Sequence, residues 1–460
     1  MAQKICIVGT GYVGLTTGVC LAFLGHEVTC VDTDQAKITA LHAGDLPIYE
    51  PHLRELIDLA AENIRFTTSY ADAVADADVI FIAVGTPSAP DGSPDLRYLR
   101  SAAQSIGETL GDHFTVVVNK STVPIGSGNW VGAIVRDAYD AAHPDGTPDF
   151  QLASNPEFLR EGAAIGDTLY ADRVVVGSDD PRALDVLSSI YRPILDQTFT
   201  PPPFLPRPED FGVVPLVATD LASAELIKYA ANSFLALKIS YINEIAQVAE
   251  RVGADITQVA MGTGLDSRIG TRFLGAGIGW GGSCFGKDTA ALLTTAREYK
   301  LDMPIVAAAR EVNQRQRELV VEKLLDELRI IKGCTIGILG LAFKPETDDL
   351  RDAPAVDIAQ RLMSRGARVR LHDPVAMGRL AESYPELAAY LRDDPADVVS
   401  GADAVVLATE WRQYRELDWK ALAPTMRTPI LLDGRHALDR HRLTAAGFRY
   451  IALAAWNPAR

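Results

Sequence analysis

The sequence predicts an α/β protein made of two Rossmann-like, doubly wound parallel-sheet domains joined by a long central helical layer. Three observations carry this: an opening that reads strand, glycine turn, helix, strand; a second copy of that grammar near the far end; and a proline-free helical run between them. At 460 residues the chain exceeds the size at which one core usually stops growing, so several domains are expected. The divisions read from these patterns are 1–212, 213–320 and 321–460.

The first unit opens with the apolar strand Lys4-Ile5-Cys6-Ile7-Val8 and the turn Gly9-Thr10-Gly11-Tyr12-Val13-Gly14. An apolar helical stretch runs to Leu24, and Gly25 leads into a strand ending at Asp32. Strand-like runs follow at Val79 to Val84 and Thr115 to Asn119, separated by helix-compatible segments as a parallel sheet requires. The stretch Pro201 to Pro208 holds too many prolines for helix or inner strand and reads as a loop. Ala218 to Val252 and Pro304 to Ile331 suit long helices, whose apolar Leu226, Phe234, Leu235 and Ile239 fit either a dimer interface or internal packing. Thr335 to Lys344, a helical stretch from Asp357 to Arg365, and Gly366 to Asp373 repeat the opening grammar, and Asp76 to Ala83 echoes Gly401 to Ala408.

With 48% apolar and 23% charged residues, the composition is that of an ordinary globular protein. The net charge of −16 opposes generic binding to nucleic acid or an anionic membrane, although local donors still suit a small anion. Five scattered cysteines without a CxxC pair suggest neither a disulfide framework nor a zinc site, so no metal and a reducing cytoplasm are expected. Ile5 to Val8 begins too early to leave room for a leader, and no run approaches the ~20 apolar residues of a membrane span.

Gly9, Gly11 and Gly14 sit where a tight turn brings a pyrophosphate onto a helix N-terminus, whose N–H groups and dipole favour anions. Asp32, at the end of the next strand, suits a ribose diol and would repel a 2′-phosphate, which favours NAD over NADP. Lys37 either touches the adenosine ribose or is a solvated helix lysine.

The strongest chemical signal is Gly277-Ile278-Gly279-Trp280-Gly281-Gly282-Ser283-Cys284-Phe285-Gly286-Lys287-Asp288. Five glycines around one cysteine suggest flexibility and close backbone approach, and Lys287 or a helix N-terminus would favour a thiolate. An inert loop cysteine is the bland alternative.

This segment resembles the active-site loop of the UDP-glucose and GDP-mannose dehydrogenase family. So do Val84-Gly85-Thr86-Pro87, Lys120-Ser121-Thr122-Val123-Pro124, Asn155 to Gly162, Glu225 to Asn232, and Phe343 to Arg351, in order along nearly the whole chain. The resemblance implies an N-terminal NAD-binding domain, a central helical domain with the cysteine loop and a C-terminal UDP-sugar-binding domain. A homodimer through the central helices is the expectation from their apolar residues, as a cytoplasmic location is from the cysteines.

The implied reaction is oxidation of UDP-glucose to UDP-glucuronate with two NAD reduced, through a thiohemiacetal and a thioester on Cys284. Lys228 and Asn232, four apart and on one face of a helix, are implied as oxyanion donors, the alternative being a solvated lysine beside a helix asparagine. Asp288, Glu161 and Thr122 are implied in proton transfer and water positioning.

Implied NAD contacts are Gly9, Gly11, Tyr12, Val13, Gly14, Asp32, Lys37, Gly85, Thr86, Pro87, Ser121, Thr122, Glu161, Lys287 and Arg351, the last across a domain interface. Implied sugar-nucleotide contacts are Glu157, Phe158, Leu159, Arg160, Lys228, Asn232, Phe273, Gly279, Gly281, Phe343, Lys344 and Arg435. Arg268 is implied to reach a neighbouring subunit.

The sequence departs from the family pattern at Trp280, Gly286 and Ala171, none of which is a reacting group. A sibling enzyme acting on GDP-mannose or an N-acetylated UDP-hexosamine is the nearest rival reading. A two-electron hydroxyacid dehydrogenase would need neither Cys284 nor the second nucleotide-binding half. A catalytically silent NAD-binding sensor would not need Cys284, Lys228, Asn232 and Asp288 together.

Overall fold

A computed structural model describes residues 2–87, 89 and 94–453, and two sheets run through them. The first is built from β1 (Lys4–Val8), β2 (Glu27–Val31), β3 (Ile64–Thr67), β4 (Val79–Ile82), β5 (Thr115–Asn119), β6 (Phe150–Ser154), β7 (Val174–Gly177) and β8 (Leu216–Thr219). Its order is β3-β2-β1-β4-β5-β6-β7-β8. The second comprises β9 (Thr335–Leu339), β10 (Arg368–His372), β11 (Ala404–Leu407), β12 (Ile430–Asp433) and β13 (Arg449–Ala452), in the order β10-β9-β11-β12-β13. The α/β fold class read from the sequence is thus present. One pairing departs from a wholly parallel first sheet: β6 and β7 meet antiparallel, at Ser154 and Gly177.

The chain packs as two compact units, Met1–Ala230 with Ala290–Thr295, and Ala231–Thr289 with Ala296–Arg460. Each unit's sheet is apolar on both faces because alternate strand residues point opposite ways. In the first, Ile5, Ile7, Phe81 and Val118 enter one core while Cys6, Val8, Ile82 and Val117 enter another. In the second, Ile336, Ile338, Val406 and Leu432 divide in the same way from Leu339, Val405, Leu407 and Leu431.

Helix boundaries shift modestly from the sequence expectations. The opening helix is Tyr12–Phe23. The long helix is Leu221–Val252, so Ala218 and Thr219 belong to β8, where they pair with Val176 and Gly177; an unpaired sheet edge outweighs the helix propensity of one alanine. The later helices are Pro304–Leu328 and Pro354–Ser364. Pro201 to Pro208 is irregular, held by Tyr170, whose hydroxyl donates to the Leu205 carbonyl at 2.8 Å, and by Phe204 stacked on His52.

The two glycine turns look alike in backbone and differ in what surrounds the acid. Gly9 and Gly340 follow β1 and β9 with φ of +102° and +91°. Asp32 and Asp373 follow β2 and β10 in matching places. Asp373 is fully buried, and its carboxylate accepts from the N–H groups of Leu341, Ala342, Val375 and Ala376 and from the Trp411 indole, at 2.7–3.2 Å.

A Cβ on Gly14 would meet the Gly9 carbonyl oxygen and lie 3.1 Å from the Ala83 side chain. Gly14→Ala is therefore expected to cost about 1–3 kcal/mol of stability, read by chemical unfolding; a parent-like midpoint would contradict this close approach.

Candidate active site

In an open α/β sheet a ligand binds beyond the carboxyl ends of the strands where the order reverses, which in the first unit is beside β1 and β4. The Tyr12–Phe23 helix begins there at Gly11, with no side chain capping its first N–H groups and open space where a Gly11 side chain would stand. Asp32 accepts from the Thr10 amide and hydroxyl, both at 2.8 Å, and from the Asp34 amide at 3.0 Å, with the Lys37 ammonium at 3.5 Å. Burial raises its carboxyl, but the bonds from Thr10 and Asp34, with Lys37, outweigh that and hold it below the usual carboxylate range. An uncapped helix start, a side-chain-free turn and an ionised acid fit a dinucleotide with a free ribose diol. The next loops are joined: Thr86 Oγ1 donates to the Thr122 carbonyl at 2.9 Å, and Ser121 Oγ to the Val84 carbonyl at 2.7 Å.

Beyond β5 and β6 lies a buried polar cluster. The Lys228 ammonium donates to the Glu157 carboxylate at 2.7 Å and to its carbonyl at 2.6 Å. Lys120 Nζ donates to Asn155 Oδ1 at 2.9 Å, which also accepts from the Tyr191 hydroxyl at 2.6 Å. Burial pushes the Lys120 ammonium down to about 8; Glu157 opposes the fall and Lys228 adds to it. Burial would likewise raise the Glu157 carboxyl, but Lys228 first and Lys120 last among its neighbours hold it low. Glu225, one helical turn before Lys228, accepts from the N–H groups of Gly126 and Gly128 at 2.6 and 3.0 Å, which fixes the segment after Thr122.

In the second unit Cys284 stands immediately before the Phe285–Glu298 helix, and its carbonyl accepts from the Asp288 amide at 2.8 Å as a helix-capping residue does. A helix N-terminus favours an anion there. Asp288 is fully buried, accepting from Asn232 Nδ2 at 2.6 Å and from Lys287 Nζ at 2.8 Å. The loop ahead of the cysteine is pinned at successive peptide groups. Asn313 Oδ1 accepts from the Trp280 amide at 2.8 Å and its Nδ2 donates to the Trp280 carbonyl at 2.9 Å. The Arg435 guanidinium donates to the Gly279 carbonyl at 3.0 Å, and the Gly282 amide donates to the Arg351 carbonyl at 2.9 Å. Close backbone approach is thus what these glycines provide, and hydrogen bonds hold the path at Gly279, Trp280 and Gly282.

Three consecutive stretches match the descriptions of one family: residues 3–195 its NAD binding domain, 222–315 its central domain and 337–440 its UDP binding domain. The chain belongs to the UDP-glucose/GDP-mannose dehydrogenase family. It is accordingly an NAD-dependent oxidoreductase. It is 45% identical over 458 residues to the UDP-glucose 6-dehydrogenase of Rhizobium meliloti (strain 1021), covering 98% of this chain and 99% of that one. It is 43% identical over 450 residues to UDP-glucose 6-dehydrogenase TuaD of Bacillus subtilis (strain 168), covering 97% and 92%. The solved UDP-glucose dehydrogenase of Pyrobaculum islandicum superposes with a TM-score of 0.88 at 38% identity, covering 99% and 98%.

Several residues implied by the resemblance to this dehydrogenase family have partners within their own unit. Arg160 is paired with Asp167 at 2.7 Å, and Arg173 lies 3.6 Å over the Phe158 ring. Leu159 donates its amide to Glu157, and Glu161 is half-buried at the turn into the Ala164–Leu169 helix. Arg351 pairs with Asp349 at 2.8 Å, and Arg268, its side chain 87% exposed, with Asp266 at 2.6 Å. Lys344 lies over Phe343, whose ring fills the space that a Gly282 side chain would need, and Phe273 packs beside Phe285. Arg435 is half-buried against the carbonyls of Ala408, Gly279 and Phe343, so part of its donor set braces the loop. Gly281 approaches the Asp352 carbonyl.

Reading the sequence of this dehydrogenase did not single out Lys120, Glu50, Asn313 or Arg317. Lys120 stood in a quoted motif without a role, while the others gain theirs only from the fold. Arg317 bonds the Asp352 carboxylate at 2.7 Å and the Asp352 carbonyl at 3.1 Å.

Removing the Asn313 amide would leave the buried Trp280 N–H without its partner and the Trp280 carbonyl with only the 3.5 Å bond from Arg317. Asn313→Ala is expected to cost about 1–3 kcal/mol and to change the rate at which iodoacetamide labels Cys284; parent-like stability and labelling together would refute the clamp.

Proposed function

We propose that this chain oxidises the sugar CH2OH of UDP-glucose to the carboxylate of UDP-glucuronate in two steps, reducing two NAD. The observation that carries the reading is Cys284 at the start of the Phe285–Glu298 helix, with Asp288 in the next turn accepting from both Lys287 and Asn232. The names of relatives at 43% and 45% identity support UDP-glucose as the substrate.

NAD supplies the hydride acceptor for both oxidations. The first converts the alcohol to an aldehyde, and Cys284 Sγ adds to its carbonyl carbon to form a thiohemiacetal. Loss of a second hydride gives a thioester, and water then breaks the C–S bond, releasing the acid and the thiolate. Lys228 and Asn232 donate to the oxygen that becomes negative, while Asp288, Glu161 and Thr122 handle protons and position water. The Glu157 carboxylate keeps the buried Lys228 ammonium in place. The uncapped turn and Asp32 hold the pyrophosphate and ribose of NAD, and Phe343, Lys344, Arg435 and Phe273 serve the sugar nucleotide. The functional stretches are 1–212, 213–320 and 321–460.

We further propose a homodimer. Phe234, Tyr241 and Val248, seven residues apart on the Leu221–Val252 helix, are 61%, 51% and 56% exposed, and Val252 is 71% exposed on the next turn. An apolar stripe at this spacing suits a second copy of the same helix. All five cysteines are thiols rather than disulfides, which fits a reducing cytoplasm. No helix among the described residues is long and apolar enough to cross a membrane.

Two NADH per UDP-glucuronate are expected from UDP-glucose, with GDP-mannose and UDP-N-acetylmannosamine inert in parallel assays. One NADH with free aldehyde would overturn the thioester route, and activity on another sugar alone would replace the substrate. Cys284→Ser should still bind NAD while turnover collapses; undiminished turnover would remove the cysteine's role. Sedimentation should give twice the chain mass, and Phe234→Glu with Tyr241→Glu should lower it to one; an unchanged dimer would place the interface elsewhere.

A further inference from the structure

The buried carboxylate of Glu50 is used by nothing in the reaction above. It lies just ahead of the Leu53–Leu59 helix and gathers donors from two places far apart in sequence. Its Oε2 accepts from the Gly162 amide at 2.7 Å and from the Tyr12 hydroxyl. Its Oε1 accepts from the amides of Ala164 at 2.7 Å and Ile165 at 3.4 Å. The Tyr12 hydroxyl in turn accepts from the Gly162 amide at 2.5 Å. Every one of these groups donates to the ionised form, so the carboxylate acts as a shared acceptor at the centre of the bridge.

The two ends of the bridge are the two functional places of this unit. Tyr12 is the first residue of the helix that starts at the glycine turn, and Gly162 follows Glu161 directly. A displacement of the first helical turn toward or away from a bound pyrophosphate therefore moves a hydroxyl that is bonded to the peptide after Glu161. We propose that Glu50 is a positioning residue that couples occupancy of the glycine turn by NAD to the placement of the Glu161 loop. The proposal rests on the assignment of Glu161 to water positioning for its catalytic meaning, although the coupling itself can be measured without turnover.

Hydrogen–deuterium exchange of the amides from Gly162 to Ile165, with and without saturating NAD, tests it. In the parent chain NAD is expected to slow exchange of these amides at least tenfold. In Glu50→Gln and in Tyr12→Phe, each held at an NAD concentration that titration calorimetry shows to saturate it, that response should shrink to less than twofold, and the double variant should look like either single one. Tyr12→Phe removes one oxygen and decides the matter if Glu50→Gln does not fold. An NAD response absent from the parent, or intact in Tyr12→Phe, would overturn the coupling. NADH formation from UDP-glucose by the parent, assayed beside it, reports on the function separately.

Discussion

Peptide groups in a buried segment must find partners, because an unpaired N–H or C=O away from water costs as much as a lost hydrogen bond. Helices and strands meet that demand internally, whereas loops do not. In this chain the segments to which the chemistry is proposed to belong are buried or half-buried loops at strand ends and ahead of helices, and several of their peptides are satisfied by side chains from elsewhere. Glu50 serves Gly162 to Ile165, Glu225 serves Gly126 and Gly128, Asn313 serves Trp280, and Arg435 serves Gly279 and Phe343. Each such residue fixes a backbone path as it satisfies it, which gives the reactive side chains on that path a defined direction.

Charge inside the first unit follows a related logic. Lys228 and Glu157 are both almost wholly buried, and a lone ion in that position would be strongly destabilising, whereas the bonded pair is tolerable. Lys120 adds a second cation to the same pocket of low polarity, and its proton is held less firmly as a result. The long helix is thereby tied at Lys228 to the loop after β6 by an interaction that loses its balance if either partner goes.

Much of the architecture was legible from residue order. The apolar runs at Ile5 to Val8, Val79 to Ile82 and Thr115 to Asn119 became strands because both faces of a covered parallel sheet are dry, and such runs have few other uses. The strand at Leu216 to Thr219 was missed, since its short, half-exposed sequence carries no period and its partner is remote. The glycine turn and the cysteine segment were legible because their residue types are costly elsewhere. Glu50 and Asn313 were not, because a glutamate before a proline or an asparagine within a helix has no local signature; its meaning comes from a partner tens or more than a hundred residues away. Gly279 to Gly282 also serve close approach, since lacking a side chain lets another chain segment come near and hold the peptide.

Asp373 occupies in the second sheet the place that Asp32 has in the first, but all its accepting capacity is spent on five protein donors, one of them the Trp411 indole. The turn of the duplicated half is thus closed by the protein's own donors, whereas Asp32 accepts from the Thr10 amide and hydroxyl and the Asp34 amide. The two-step oxidation proposed for this chain would then pass both NAD equivalents through the turn after β1, one after the other. On that reading a half-oxidised sugar has to outlast the departure of one spent carrier and the arrival of the next, and the proposed covalent tether would make that waiting period safe.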